Sequence, residues 1–261
     1  MATTAKKHFD EDIARAQAIR QHAEQHVTQA NKALLRGDLY RSAWMFGVGA
    51  ADAYFCDKFA DLVARALRAK SLEPAQTAIA AVRKLQLPVA TILAPYSSRT
   101  NWRWRMGARA LIEKKHIHSL AEIKTHFNPF CRAGNKLLED GVLASWMGAA
   151  GATERMFGTT RAAFLALVGP ANQPARNAAL KAGRTRLDKR LKKIFQRRHD
   201  CIHNCDRPKV APQPISSGAA NCAIRDIAFL VDQLEQHFEA EFRAQLVAGG
   251  YSAATRNAVG C

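Results

Sequence analysis

Residues 43–56 read AWMFGVGAADAYFC, and this stretch decides the fold predicted for the chain. Its apolar side chains fall on almost every side of a helix, which is typical of a helix surrounded by other helices. The stretch is too short to span a bilayer, and it contains Asp52. We therefore predict that it is the centre of a helical bundle, within a helix that Asp38 caps and that runs to about Lys70.

Helical spacing of apolar residues continues through nearly all of the chain, and no two segments alternate as paired strands would. The predicted order is a first helix from Phe9 to Leu34 stopped by Gly37, the central helix, shorter helices at about 73–86, 100–115 and 119–127, glycine-broken helical pieces over 132–169, a basic helix from Pro174 to about His203, a loop over 205–218, and a last helix up to Gly249. We therefore expect an all-α protein with one domain over 1–250 and a loose tail over 251–261.

The chain carries a large excess of positive charge. It has 39 Lys and Arg residues against 22 Asp and Glu residues, a net charge of +17 with His neutral. Its hydrophobic fraction of 48% is ordinary for a globular protein, so the excess belongs to a folded surface. Such a surface favours a polyanionic partner, with nucleic acid first and an anionic membrane second.

The opening residues and the cysteines indicate a reducing compartment. Residues 1–30 are polar and mixed in charge, without the basic, apolar and small-residue regions of a signal peptide. Because a chain of this length without such a signal rarely depends on a disulfide framework, we expect its six cysteines to be free thiols. The prediction is a cytoplasmic protein with no membrane partner.

The end of the predicted basic helix concentrates reactive side chains, since residues 197–207 read RRHDCIHNCDR. Arg198 follows the apolar positions Leu187, Leu191 and Ile194 at helical spacing, and therefore lies on an apolar stripe. An unpaired charge there is costly, so Arg198 must border a cleft, bind an anion or pair with a carboxylate. A structural ion pair with Asp52 is the ordinary interpretation of such an arginine.

His203 adds a candidate base to this arginine. An imidazole exchanges a proton near neutral pH, and the neighbouring Arg197 and Arg198 favour its neutral form. A neutral histidine can take the proton of a ribose 2′-OH, while an arginine can stabilise the charge that develops on the phosphate oxygens in the transition state. The pair therefore predicts cleavage of RNA.

Residues 197–204, RRHDCIHN, resemble the signature of the HEPN ribonucleases, which is an arginine, a polar residue, three more residues and a histidine. They are most similar to the RiboL-PSP-HEPN branch, where the signature often reads close to RRHDxxHN at the end of a basic helix. The resemblance implies a HEPN-like bundle with extra helices inserted between the early and late core helices. It assigns catalysis to Arg198 and His203, a helper role to His199 or Asp200, and orientation of His203 to Asn204.

The resemblance also implies that the enzyme needs no metal or other cofactor and acts as a homodimer, with two motifs facing each other across a cleft. Such proteins often act as toxins or defence effectors that an antitoxin or regulatory protein restrains. In relatives a glycine commonly follows the final polar residues, whereas residues 205–208 of this chain read CDRP. Asp52 is interpreted as a supporting partner of Arg198.

Helix geometry restricts how Arg198 and His203 could share one phosphate. Five residues at about 100° each separate them by roughly 140° around an unbroken helix, so a phosphate on one side does not easily touch both. Either the helix ends between them, or two chains share the site. Both alternatives remain open from the sequence.

The basic helix is interpreted as an RNA track. Between Lys181 and Arg198 it has nine basic residues and one acid, Asp188. The residues predicted to contact RNA are Lys189, Arg190, Lys192, Lys193 and Arg197. Residues 101–105, NWRWR, add aromatics that could stack on bases, although core packing of the tryptophans is the more ordinary interpretation.

Two other functions are compatible with the motif. Alternating His199, Cys201, His203 and Cys205, completed by Cys222, could form a zinc site, but on a helix the cysteines and the histidines lie on different faces. A second alternative is a non-catalytic helical module that binds RNA or a protein.

Overall fold

The computed structural model describes residues 3–86, 101–115, 117, 119–206 and 213–261. Within these residues the chain is all-α, with no strand, so the predicted all-α class is confirmed, while the HEPN-like arrangement stays a prediction. The helices are α1 (Thr4–His26), α2 (Ala33–Leu72), α3 (Ala80–Arg83), α4 (Trp102–Ile112), α5 (Leu120–Phe127), α6 (Asp140–Gly148), α7 (Glu154–Phe157), α8 (Arg161–Leu165), α9 (Gln173–Asn204), α10 (Ser217–Ala248) and α11 (Ala253–Ala258), with 3-10 turns at Ala30–Lys32, Asn128–Phe130 and Pro170–Asn172.

The boundary between the first two helices differs from the prediction. Helix α1 ends at His26 and α2 begins at Ala33, so Gly37 and Asp38 lie inside α2 and do not stop or cap a helix. A glycine inside a helix costs about 1 kcal/mol relative to alanine. Close approach explains why it is tolerated, because a Cβ on Gly37 would lie 3.0 Å from Nη1 of Arg41. The glycine leaves room for the arginine.

Most other predicted helices are present, with two corrections. The helix expected at 73–86 is reduced to α3. Residues 87–100 lie outside the described residues. The tail expected to be loose is ordered. It forms α11, Tyr251 and Val259 are buried, and Arg65 donates to the Val259 carbonyl (2.7 Å) and the Gly260 carbonyl (3.0 Å). A buried arginine holds the tail through its backbone, which side-chain periodicity does not reveal.

The chain divides into two compact units. Unit 1 comprises Met1–Ala51, His118–Leu120 and Asp140–Gln233, and unit 2 comprises Asp52–Ile117, Ala121–Glu139 and Leu234–Cys261. Helices α2 and α10 each run through both units, so the units are not consecutive segments of chain. The single domain expected over 1–250 stays a prediction.

Small residues build the core of unit 1. Ala16, Ala43 and Ile224 form one fully buried cluster from α1, α2 and α10, and Ala23, Tyr40 and Ala220 form a second from the same helices. Short side chains let the helix backbones approach closely. The indole Nε1 of Trp44 donates to the Ile194 carbonyl (3.0 Å), which ties α2 to α9 near the motif.

Aromatic rings build the core of unit 2. Phe59 packs edge-on against Phe127 and Phe130, and Phe127 stacks on Phe238 with centroids 4.6 Å apart. Beside them the fully buried ammonium of Lys58 pairs with Glu235 (2.8 Å) and Glu239 (2.6 Å). None of the helices in the described part of the chain is long and apolar enough to cross a bilayer.

Candidate functional site

Helix α9 carries the motif without a break. It runs from Gln173 to Asn204, so the helix does not end between Arg198 and His203. At about 1.5 Å and 100° per residue, the two side chains leave the helix roughly 7.5 Å apart along the axis and roughly 140° apart around it. Of the two ways to bring them to one phosphate, a break in the helix is therefore excluded.

The motif side chains differ in exposure. His199, His203 and Asn204 are exposed, while Arg198 and Asp200 are half-buried. The rings of His199 and His203, one helical turn apart, lie 4.4 Å apart at an angle of 44°. The carboxylate of Asp200 accepts a hydrogen bond from Nε2 of Gln196 (2.8 Å). The two imidazoles thus lie together on one face of α9. The side chain of Arg198 leaves the helix in a different direction from theirs.

The apolar stripe of α9 is covered only along part of its length. Leu187, Leu191 and Ile194 are buried, but Ile202 is 49% exposed. One apolar side chain at the end of the stripe is therefore exposed, next to His203 in the sequence.

The exit turn after Asn204 is built without glycine. Cys205 (φ 47°) and Asp206 (φ 56°) both adopt the left-handed conformation, and both of their amides donate to the Asp200 carbonyl. The side chain of Asp206 is 0% exposed and its Oδ2 accepts from Nε of Arg41 (2.7 Å) and Nη2 of Arg197 (2.8 Å). An ion pair across α2 and α9 therefore holds the end of the motif helix.

Replacing Cys205 with glycine should stabilise the protein by about 0.5–1 kcal/mol. A side chain in the left-handed region is strained, and this gain exceeds the extra entropy that glycine loses on folding. Urea unfolding followed by circular dichroism measures the change. The control is Cys201→Gly, the same substitution inside α9, which should destabilise by about 1 kcal/mol. Destabilisation by both variants would contradict the argument.

Arg197, one of the predicted RNA contacts, lies in this ion pair. Its guanidinium carbon also lies 5.3 Å from the ring centroid of Trp44, and Nη2 donates to the Pro214 carbonyl (3.1 Å). Arg197 therefore contacts the residues around the exit turn through its guanidinium group.

The other predicted RNA contacts divide into two sets. Lys189, Arg190 and Lys193 line one cleft of about 210 Å³, together with Arg155 and Arg186. Lys192 is exposed and pairs with Asp188 (2.9 Å). The structure thus brings three of the five predicted residues together, and adds Arg186 of the predicted basic track and Arg155, which the sequence reasoning missed.

Asp226 is a further residue that the sequence reasoning missed. It is buried in α10, and its carboxylate contacts Arg155 and Arg190. A signal was available, because Asp226 follows Ala223 by three residues and precedes Leu230 by four, both of them buried. An acidic residue on an apolar stripe requires a cationic partner, by the same reasoning that singled out Arg198. No comparable local signal marks Arg155.

Asp52 has a backbone partner in unit 2. Its Oδ1 accepts a hydrogen bond from the Ile117 amide (3.3 Å), and its side chain is half-buried. Its supporting role for Arg198 stays a prediction. In the same unit Trp102 and Trp104 are half-buried on α4, and Arg105 pairs with Asp61 (2.8 Å).

The Cys/His metal alternative finds no matching geometry in the described residues. No group of three or more His, Cys, Asp or Glu side chains there is arranged to hold a metal ion. Burial raises the pKa of Cys201 to about 11. All six cysteines are unpaired.

Comparisons of this chain with protein-family models, with curated proteins and with solved structures gave no match. The HEPN resemblance therefore rests on residues 197–204 and on their helical setting.

Proposed function

We propose that this chain is a metal-independent endoribonuclease of the HEPN type. The observation that carries the proposal is the RRHDCIHN segment at the end of an unbroken basic helix, with two exposed imidazoles and a half-buried guanidinium. Such a protein would act in the cytoplasm as a toxin or defence effector, restrained by an antitoxin or another regulatory protein.

In the proposed reaction His203 is the general base. Its imidazole takes the proton of a ribose 2′-OH, the 2′-oxygen attacks the adjacent phosphorus, and the P–O5′ bond breaks as the departing 5′-oxygen takes a proton from water. The products are a 2′,3′-cyclic phosphate end and a 5′-hydroxyl end. Arg198 stabilises the charge on the non-bridging oxygens, and the His199 ring, 4.4 Å from that of His203, orients and tunes the base together with Asp200 and Asn204.

A homodimer would solve the separation of Arg198 and His203 on one helix. In a two-fold assembly Arg198 of one chain can face His203 of the other, because a two-fold interface brings the same surface of both chains together. Ile202, which is 49% exposed beside His203, supplies an apolar contact for such an interface. The two motifs would then form two composite sites.

The test of the proposal is incubation of the purified protein with single-stranded RNA in EDTA. Products with 2′,3′-cyclic phosphate ends support the enzyme. Tight binding without cleavage would favour the non-catalytic RNA-binding module, an alternative that the five cations of the cleft support. Cleavage only after addition of a divalent metal would contradict the mechanism.

Replacing Lys193 with glutamine should weaken RNA binding and flatten its salt dependence. Loss of one contact to a single-stranded phosphate lowers the slope of log K against log salt by about 0.7. The effect of Lys192→Gln should be smaller, because Lys192 already pairs with Asp188. Fluorescence anisotropy in a His203→Ala background measures both affinities. The control is Lys7→Gln, which removes the same charge from an exposed position of α1. An equal change in the salt-dependence slope for this variant would indicate an effect of net charge only.

A further inference from the structure

Five cations from two elements of unit 1 line a single cleft. Arg186, Lys189, Arg190 and Lys193 belong to α9, and Arg155 belongs to α7. The α9 residues occupy positions i, i+3, i+4 and i+7, which lie along one side of that helix. The cleft of about 210 Å³ has room for a phosphate group and a few waters.

A buried carboxylate fixes two of these cations. Asp226 is 1% exposed, and its Oδ2 accepts from Nε of Arg155 (2.9 Å) and from Nε of Arg190 (2.7 Å). Both guanidinium groups are thereby held in one orientation, with other N–H groups left to bind a ligand. Because the groups are already ordered, an anion that binds them loses less free energy to ordering.

The other three cations of the cleft are not paired with a carboxylate of the described residues. No ion pair joins Arg186, Lys189 or Lys193 to a carboxylate anywhere in the described ranges. Within the described residues, five positive charges thus line one small volume, and two of them share the carboxylate of Asp226. Such an arrangement attracts an anion, and a phosphate group offers the charge and the acceptor oxygens that arginine binds best.

The packing of α7 on α9 keeps Arg155 in place. Helices α6 and α7 pack against α9, and Met156 and Phe157, beside Arg155, are buried. Gly183 permits this approach, because a Cβ there would lie 2.9 Å from Sδ of Met147 and 3.5 Å from the Phe157 carbonyl oxygen. Tertiary packing therefore adds Arg155 to the α9 cations, of which Arg186, Lys189 and Lys193 are exposed.

We propose that this cleft is a phosphate-binding site, distinct from Arg198 and His203, that holds a backbone phosphate of the RNA away from the bond that is cut. Its assignment to RNA rests on the proposed function, whereas its affinity for phosphate does not. Lys193 and Arg198 are separated by about 7.5 Å along α9 and by about 140° around it, so a strand held in the cleft would pass round the helix to reach Arg198.

The test uses the full chain and two probes. Isothermal titration measures binding of inorganic phosphate and of a 2′-O-methyl oligoribonucleotide, which lacks the 2′-OH needed for cleavage. Arg155→Gln, Arg186→Gln and Lys189→Gln should each weaken binding of both probes about tenfold, the effect of one charge-assisted contact. Arg186 and Lys189 have no ion pair to lose among the residues that the structure describes, so their variants stay informative if Arg155→Gln is unstable.

The control is Arg184→Gln, which removes a charge from the same helix outside the cleft, where Arg184 pairs with Asp140 (2.6 Å). It should leave both affinities unchanged. Equal loss in the control, or a wild-type protein that does not bind phosphate, would overturn the site. Weakened binding of phosphate alone would overturn the RNA assignment in favour of a free phosphate compound. Intact binding of both probes in a protein that never cleaves RNA would support the cleft and refute the proposed function.

Discussion

Replacing His203 with alanine should reduce the rate of RNA cleavage by about 10²–10⁴-fold, the usual contribution of a general base. The imidazole would no longer be present to take the 2′-OH proton. Because His203 is exposed, the free energy of unfolding should change by less than about 0.5 kcal/mol, and most of the RNA affinity should remain. Single-turnover cleavage of end-labelled RNA in EDTA measures the rate, and anisotropy measures the affinity.

The matched control is His26→Ala. The ring of His26 also lies near that of a histidine one helical turn away, His22, with centroids 4.9 Å apart at an angle of 42°. No part of the proposed site involves it, so its removal should leave cleavage unchanged. Cleavage at the wild-type rate by His203→Ala would refute the assignment of the base.

Mixing the Arg198→Ala and His203→Ala variants tests whether two chains share each proposed site. If Arg198 and His203 act from opposing chains, a heterodimer of Arg198→Ala and His203→Ala contains one wild-type site and one doubly altered site. Random exchange should then restore roughly a quarter of the wild-type sites. No recovery after verified subunit exchange would indicate that each chain supplies both groups.

Replacing Asp206 with alanine should lower the free energy of unfolding by about 3–5 kcal/mol, the cost of breaking a buried ion pair from one side. The carboxylate is 0% exposed, and its loss leaves the guanidinium groups of Arg41 and Arg197 without their shared partner. Urea unfolding followed by far-UV circular dichroism measures the loss.

Asp38→Ala is the control for this loss. Asp38 contacts the same Arg41 (3.2 Å), but its side chain is 60% exposed. Surface ion pairs contribute about 0–1 kcal/mol, so this variant should be close to wild type. Similar losses for the two aspartates would show that burial of Asp206 does not determine the stability of the exit turn.

The failed predictions share one cause. Gly37 was expected to stop a helix and 251–261 to be loose, because each interpretation used only local composition. Gly37 instead makes space for Arg41, and the tail is held by Arg65, which lies far away in the sequence. At Gly37 the neighbour lies one turn along the same helix, whereas in the tail a contact between distant segments overrode the local signal.

The sequence by itself determined the all-α class, the long helices α2, α9 and α10, and the position of RRHDCIHN at the end of α9, because helical periodicity is a local property. Only the tertiary structure decided which partner each charged side chain contacts. Arg197 pairs with Asp206, and Lys193 joins a cleft with Arg155 while its neighbour Lys192 does not. Adjacent residues on a helix point about 100° apart, and the partners they meet come from segments whose approach no local pattern encodes.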